Sequence, residues 1–296
     1  MDNENKGYSV IPDEDVTISY KSNSPQKAKK GNKSTIIAIV LVIIAILCCL
    51  GYIGLVLFQY FTAEQSYGEI NEIALNGNNS DIVVPQDGEV VKDDNSAALG
   101  QSPIDLPALQ EINSDVYAWI RIPGTYVDYP VAQSVIEDNY YLHRSIYKNY
   151  LFAGMIYSQS CNKRDFSDPV TVIYGHNMRN GTMFSSLHYF EKPNFFEEHE
   201  VFYIYTVDRV LTYHIVSAYK YDNRHIMNAF DFNDPEVLDN YHEFVLDPVS
   251  TLRNVRKGVI LNRESKLVVL STCTGNDKGS RYLVTGVLVN DVPIEE

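Results

Sequence analysis

The sequence has little cysteine, little tryptophan and no excess of positive charge. Its four cysteines include no C-x-x-C pair, and together with seven histidines they form neither a metal-ligand repeat nor a disulfide ladder, so we predict no metal site and no cofactor. The net charge of −14 argues against nucleic acid as a partner, because phosphate binding needs a basic face. Tyrosine is abundant instead, with 22 residues against one tryptophan, which favours half-buried β-surface and wet grooves.

One long apolar run lies near the N-terminus. Residues 34–63 contain no charged side chain, and Ile36–Phe58 is almost wholly apolar. At about 1.5 Å per residue, a helix over Ile36–Phe58 would measure about 34 Å, enough to cross the core of a bilayer. A cleaved signal peptide is the alternative, but its apolar region is usually about 7–15 residues, shorter than this run. We therefore predict a single transmembrane helix over residues 34–58.

The charges on the two sides of this span predict its direction. Five lysines precede the span with no acid among them, and three glutamates are the first charges after it: Lys21, Lys27, Lys29, Lys30, Lys33, then Glu64, Glu69 and Glu72. Cytoplasmic flanks carry the excess of lysine and arginine. We expect residues 1–33 to be a cytoplasmic tail and the C-terminal body to be extracellular, held at the cell membrane by one helix.

Residues 59–104 are predicted to be a stalk with a partly helical start. They are rich in Asn, Gly, Asp and Pro and show no sustained apolar period. Such a composition cannot bury enough surface to offset the entropy of ordering. The folded domain is therefore predicted to occupy residues 105–296.

This domain is predicted to be mostly β. About eight strand-like runs are separated by clusters of Gly, Pro, Asn and Asp: Trp119–Ile122, Tyr126–Val131, Met155–Tyr157, Val170–Tyr174, Val201–Tyr205, Val210–Tyr219, Leu267–Thr272 and Tyr282–Val289. Short strands with turn signals and only local helices favour a closed or nearly closed β-barrel.

Two short helices are predicted beside these strands. Leu106, Leu109 and Ile112 give an amphipathic helix before the first strand. Later, Asn233–Pro235 supplies a capping side chain and a proline at the first turn, followed by apolar residues at helical spacing. This pattern predicts a surface helix over residues 234–245, inserted between two strands.

The stretch Leu267–Gly275 is the first candidate for chemistry, since an apolar β run ends there in Ser-Thr-Cys. After a short loop, Arg281 opens the next strand. If the two strands form an antiparallel hairpin, Cys273 and Arg281 stand side by side, because opposed positions lie about 5 Å apart. A guanidinium at that range favours a thiolate or offers paired donors to an oxyanion. Taken singly, Cys273 could instead be a buried structural thiol and Arg281 a solvated charge at a strand end.

His176 is the candidate proton partner of the thiol. It follows the β run Val170–Tyr174 directly, in a turn marked by Gly175, a context that no other histidine shares: His143, His188, His199, His214, His225 and His242. A thiol that attacks an acyl group needs a neighbour to hold its proton and later to protonate the departing amine. Imidazole changes charge near neutral pH and suits this role.

Cys161 is the competing nucleophile. It lies in a polar, loop-like stretch without a following cation in strand register, which disfavours it. In an oxidising compartment Cys161 and Cys273 could also pair, and a disulfide would block the proposed nucleophile. The sequence leaves this alternative open.

These blocks resemble those of a known family. Tyr174–Asn177 and Leu270–Cys273, with Arg281 eight positions on, resemble the active-site blocks of sortases and occur in the same order. Further stretches are similar to class B members: Leu109–Asn113, Trp119-Ile120, Tyr129–Val131, Asp138–His143 and the helix at 234–245. The resemblance covers residues 105–289 and implies an eight-stranded sortase-like barrel. Thr274 stands where some class B members carry an acid, so no substrate contact is inferred from this loop.

The resemblance implies a cysteine transpeptidase with His176, Cys273 and Arg281 as its catalytic set. Its partners would be secreted proteins bearing a C-terminal sorting signal, and an amine acceptor from a peptidoglycan precursor or a pilin lysine. Tyr174, Ser271 and Thr272 are candidates for the substrate groove; core packing is the alternative for Tyr174, and simple strand ends for the other two. A surface thiol endopeptidase with the same site and a non-enzymatic tethered binding domain are the alternative functions.

Overall fold

The computed structural model describes residues 33–75, 100–275, 277 and 279–294. The chain divides after Tyr52 into two compact units, and helix α1 (Lys33–Leu75) begins in the first and continues in the second. Within the described residues, α1 is the one helix long and apolar enough to cross a membrane, and it contains the predicted span. The predicted tail, except Lys33, and residues 76–99 of the predicted stalk lie outside the described residues.

The strands of the second unit form one sheet that closes on itself. The nine strands in the described part are β1 Val116–Arg121, β2 Asp128–Gln133, β3 Ile156–Ser158, β4 Val170–Tyr174, β5 Val201–Tyr205, β6 Arg209–Asp222, β7 Arg253–Val255, β8 Leu267–Cys273 and β9 Ser280–Pro293. Their order is β5-β1-β2-β3-β4-β8-β9-β6-β7, and β5 also pairs with β6. Eight strands therefore close into a barrel, as predicted. β7 pairs with β6 outside this ring and is not predicted by the sequence pattern.

Two of the strand pairings are parallel. β2 runs parallel to β3 and β4 runs parallel to β8, whereas the other pairs are antiparallel. The carboxyl ends of β4 and β8 therefore meet at the same end of the barrel, and the start of β9 joins them there because β9 is antiparallel to β8.

The period-two alternation of each strand divides its residues between two cores. In β8, Val268 and Leu270 pack inside the barrel, whereas Leu267 and Val269 belong to a second core on its outer face. Because both faces of β8 are covered, the strand is apolar without interruption from Leu267 to Leu270. The same alternation carried to the end of β8 places Cys273 on the outer face.

The helices cover parts of the barrel. Besides α1 they are α2 Leu106–Ile112, α3 Pro193–Glu198, α4 Ile226–Ala229, α5 Pro235–Leu246 and two 3₁₀ helices, Tyr140–His143 and Ser185–Glu191. α5 buries Leu238, Tyr241 and Val245 in the outer core, and the side chain of Asp234 caps it by accepting from the Glu236 amide at 2.9 Å. The two helices predicted near residues 106–112 and 234–245 are confirmed.

The second half of α1 is a packed element of the barrel's unit. Its buried residues recur on one helical face at Ala63, Tyr67, Ile70 and Ala74, and all four join the same apolar cluster as the residues inside the barrel. The start of the predicted stalk is therefore a helix fixed to the barrel, and the compact unit extends well before residue 105.

Candidate active site

Cys273 is the last residue of β8 and lies directly opposite Arg281 in the antiparallel β8–β9 register. The predicted hairpin geometry is thus confirmed. In β9, Leu283 belongs to the outer core and Tyr282 to the inner one, so Arg281 shares the outer face with Cys273. The thiol is exposed and free, as is that of Cys161.

His176 reaches the same end of the barrel from β4. Tyr174 is paired with Ser271 in the parallel β4–β8 ladder, and the Gly175 amide extends the ladder by donating to the Ser271 carbonyl at 3.1 Å. His176 lies two residues beyond Tyr174, and Cys273 lies two residues beyond Ser271. Cys273 on β8, Arg281 on β9 and His176, two residues beyond the end of β4, therefore all lie at the same end of the barrel.

The surroundings of His176 define which of its nitrogens is basic. Its Nε2–H donates to the Leu142 carbonyl at 2.8 Å, and its ring stacks on His143 with centroids 5.1 Å apart. Burial lowers the pKa of His176 below the ordinary value of 6.5, and the nearby His143 lowers it further. At neutral pH the ring is therefore uncharged. Because Nε2 carries the hydrogen, Nδ1 is left as the proton acceptor.

Within the described part of the chain, neither His176 nor Arg281 makes a hydrogen bond to the Cys273 sulfur; the Arg281 Nη1 donates to the Ser280 carbonyl at 3.3 Å. Catalytic hydrogen bonds are often long or absent in ligand-free enzymes and tighten when substrate binds. The arrangement holds the three groups together while leaving the sulfur open to an incoming peptide.

The backbone of Cys273 is held by two side chains that sequence reasoning did not select. Asn177 Nδ2 donates to the Cys273 carbonyl at 2.8 Å. His188 Nε2 lies 3.0 Å from both this oxygen and Asn177 Nδ2, and its Nδ1 lies 2.5 Å from Glu191 Oε1. Asn177 directly follows His176 in the active-site block, which is a usable signal. His188 has no such signal, because it reaches Cys273 only through the fold.

A pair of stacked tyrosines lies near Cys273 and Arg281. Tyr157 is paired with Tyr174 across β3 and β4, and their rings stack with centroids 5.5 Å apart. Burial raises the pKa of the Tyr157 hydroxyl, the nearby Arg281 charge opposes that rise and Cys273 adds to it, while the hydroxyl itself donates to Asn139 Oδ1 at 3.0 Å. Tyr157 is 4% exposed, so it packs against Tyr174 and adds little open surface.

The three predicted groove residues lie on different faces. Tyr174 is half-buried beside Arg281, and Ser271 lies on the outer face one step before Cys273. Thr272 instead lies on the inner face opposite Tyr282, and it is 2% exposed. Of the three, Tyr174 is the one with substantial exposed surface, since Ser271 is itself only 4% exposed and the side chain of Thr272 is part of the barrel interior.

Comparison with known proteins agrees with this arrangement. The family model for the sortase domain matches residues 120–289. Sortase B of Listeria monocytogenes is 29% identical over 199 residues, which cover 64% of this chain and 76% of that protein.

Solved structures show the same fold. A structure of Clostridium perfringens sortase B is 30% identical, with a TM-score of 0.55 over 62% of this chain and 99% of its own. Sortase B from Bacillus anthracis superimposes with a TM-score of 0.60, covering 79% of this chain and 99% of its own at 24% identity. The domain match spans more than half of the chain, and it agrees with the barrel and its site. This chain belongs to the sortase family of cysteine transpeptidases, and the relatives it resembles are class B sortases.

Proposed function

We propose that Cys273, His176 and Arg281 are the catalytic residues of this sortase, and that it cleaves a C-terminal sorting signal of secreted proteins. One observation carries the proposal: Cys273 faces Arg281 across the β8–β9 pair, and His176 lies at the same end of the adjoining β4. Each of these residues lies within two residues of a strand end, where a peptide can approach from outside the barrel.

In the first half-reaction, Nδ1 of His176 takes the thiol proton of Cys273, and the sulfur attacks the carbonyl carbon of a threonine in the sorting signal. A tetrahedral oxyanion forms, for which the Arg281 guanidinium offers paired N–H donors. The carbon–nitrogen bond then breaks. The proton held by His176 passes to the departing amine, and the threonine remains on Cys273 as a thioester.

In the second half-reaction, an amine attacks the thioester carbonyl. His176 takes the proton that the amine loses, the carbon–sulfur bond breaks and Cys273 is released. The product is a new amide between the threonine and the acceptor. An amino group of a peptidoglycan precursor, or a pilin lysine, would serve as this acceptor.

Tyr174 would line the groove that holds the sorting signal beside the sulfur, supported by Tyr157 and Ser271. The ring of Tyr174 is half-buried near Arg281, and the buried ring of Tyr157 stacks against it. Tyrosine side chains suit an extended peptide, because the ring contacts apolar side chains while the hydroxyl can hydrogen-bond the peptide backbone.

Membrane attachment would set where this chemistry occurs. The lysine-rich flank of the apolar helix predicts a cytoplasmic N-terminus and an extracellular barrel. A tether of this kind raises the effective concentration of exported substrates and of a lipid-linked acceptor at the site.

The test is a transfer assay on the full chain in detergent micelles. The substrates are a quenched library of peptides with threonine followed by Gly or Asn, and the amines are triglycine, a peptidoglycan stem peptide and Nα-acetyl-lysine. We expect an amide-linked product and a peptide thioester that mass spectrometry locates on Cys273. Cys273→Ala should abolish both and Cys161→Ala should retain both. Hydrolysis alone, with every amine present, would instead support a thiol endopeptidase.

A further inference from the structure

The active-site histidine is supported by residues 140–154, here called the supporting segment. Leu142 supplies the carbonyl that accepts from His176, and His143 supplies the ring stacked on it. The segment is closed on itself, since the Leu151 amide donates to the His143 carbonyl at 3.0 Å. Whatever fixes this segment therefore fixes the partner of His176.

Gly154 ends the supporting segment in close contact with Leu142. Its φ is +60°, and a Cβ added there would lie 2.2 Å from the Leu142 carbonyl oxygen. The two backbones therefore touch at the oxygen that receives the His176 hydrogen bond. A shift of the backbone at Gly154 moves the Leu142 carbonyl with it.

Helix α1 holds this contact from outside the barrel. The Tyr67 hydroxyl donates to the Gly154 carbonyl, and Tyr67 is 8% exposed. This bond fastens the C-terminal end of the supporting segment to α1.

A second path runs from the same tyrosine toward Cys273. The rings of Tyr67 and Tyr129 meet edge to face with centroids 5.2 Å apart. The Tyr129 hydroxyl accepts from the Met183 amide at 3.1 Å, and Met183 forms a β-bridge with Asn177. Asn177 in turn donates to the Cys273 carbonyl. The supports of both catalytic residues therefore begin at one side chain of α1.

We propose that the stretch Ala63–Leu75 of α1 is part of the active-site scaffold, and that Tyr67 is a positioning residue for His176. The proposal rests on the proposed catalytic role of His176. Without the Tyr67 bond, the Gly154 backbone loosens and the Leu142 carbonyl no longer holds Nε2–H. The imidazole then populates both tautomers, so less of it presents a basic Nδ1 to the thiol.

The experiment compares Tyr67→Phe with Tyr117→Phe in the full chain. Tyr117 is a matched control, because it is 6% exposed, its hydroxyl bonds Ser158 at 2.8 Å and its ring stacks on Phe166, both outside the supporting segment. For each variant we would measure the melting temperature, kcat, KM and the pH profile of kcat/KM. The ring ¹³Cδ2 and ¹⁵N shifts of His176, assigned against His176→Gln, report its tautomer.

We expect both variants to lose a similar amount of thermal stability. Tyr67→Phe should also lower kcat about five- to tenfold with little change in KM, since it disturbs the catalytic geometry and leaves the groove intact. Its His176 signals should show a mixture of tautomers. Tyr117→Phe should keep the wild-type tautomer and pH profile.

Wild-type His176 shifts and an unchanged pH profile in Tyr67→Phe would overturn the proposal. The NMR measurement needs no substrate, so it separates this result from a failure of the proposed function. If the wild type transfers no peptide to any amine, the catalytic assignment fails, and the tautomer of His176 still decides whether Tyr67 positions it.

Discussion

Substitution of Gly175 by alanine should displace His176, the proposed proton acceptor. A Cβ at this position would lie 2.5 Å from Ile156 Cδ1 and 2.7 Å from Phe184 Cδ2, and both of those side chains are fully buried. Carbon atoms in contact are separated by about 3.5–4.0 Å, so the backbone or its neighbours must shift by about 1 Å. Overpacking of this kind costs about 1–3 kcal/mol of stability. A 1 Å displacement beside His176 should also lower kcat/KM about 10²-fold.

Gly286→Ala is the matched control for this prediction. A Cβ there would lie 2.4 Å from the Phe202 ring, but Gly286 pairs with Val268 in the middle of the barrel, five residues beyond Arg281. Both variants should melt at lower temperature than the wild type. Transfer per folded molecule, with folded protein quantified by circular dichroism, should fall only in Gly175→Ala. If both variants lose activity equally, or if Gly175→Ala stays within about twofold of wild type, then Gly175 does not position His176.

Three further outcomes follow from contacts at the site. Arg281→Ala should slow acylation of Cys273 about 10²–10³-fold through loss of oxyanion donors, and Arg281→Lys should recover only part of the lost rate. Single-turnover mass spectrometry measures the acylation rate of both variants. An unchanged rate would remove Arg281 from the mechanism. Asn177→Ala should lower the same rate about tenfold by freeing the Cys273 carbonyl, and Asn177→Asp should be worse because its carboxylate would face that oxygen. His143→Ala removes a stacked ring and a like charge, so the pKa of His176 should rise toward 6.5. In the proposed mechanism, catalysis begins with neutral His176, so the acid limb of the pH profile of kcat/KM should move to higher pH in this variant. An acid limb that stays in place would contradict this cause of the lowered pKa.

The parts of the site that alternate along a strand could be predicted from the sequence. The residues of Leu267–Cys273 alternate between two faces, and Arg281 lies near the start of the next strand. An antiparallel hairpin of these two strands therefore predicts that Cys273 and Arg281 are opposed, as they are in the structure. The same count from Val268 places Thr272 on the inner face, where the structure has it. Period-two counting therefore assigns Ser271 to the outer face and Thr272 to the inner face, provided that one core residue of the strand is assigned correctly.

The supports of the site could not be predicted in this way. Asn177 and Cys273 are 96 residues apart in sequence, and Tyr67 and Gly154 are 87 apart. No local period encodes such contacts, because each depends on how separate elements pack. The helical face Ala63, Tyr67, Ile70 and Ala74 did carry a signal, since its residues recur at helical spacing. The residues around this helical face are polar, and the composition of residues 59–104 as a whole favours a stalk.

The exposure of the nucleophile follows from where the outer cover of the barrel ends. Along the outer face of β8, Leu267 and Val269 are fully buried beneath the core that α5 completes, Ser271 is 4% exposed, and Cys273 is open to solvent. β9 shows the same gradient, from a buried Leu283 to a half-exposed Arg281. The middle of the sheet is covered on both faces and therefore needs apolar side chains on both. The last residues of the strands, here called the last row, are uncovered on the outer face and are free of that requirement. Reactive groups can therefore occupy this row without a buried charge, while the rigid strands beneath them fix their spacing.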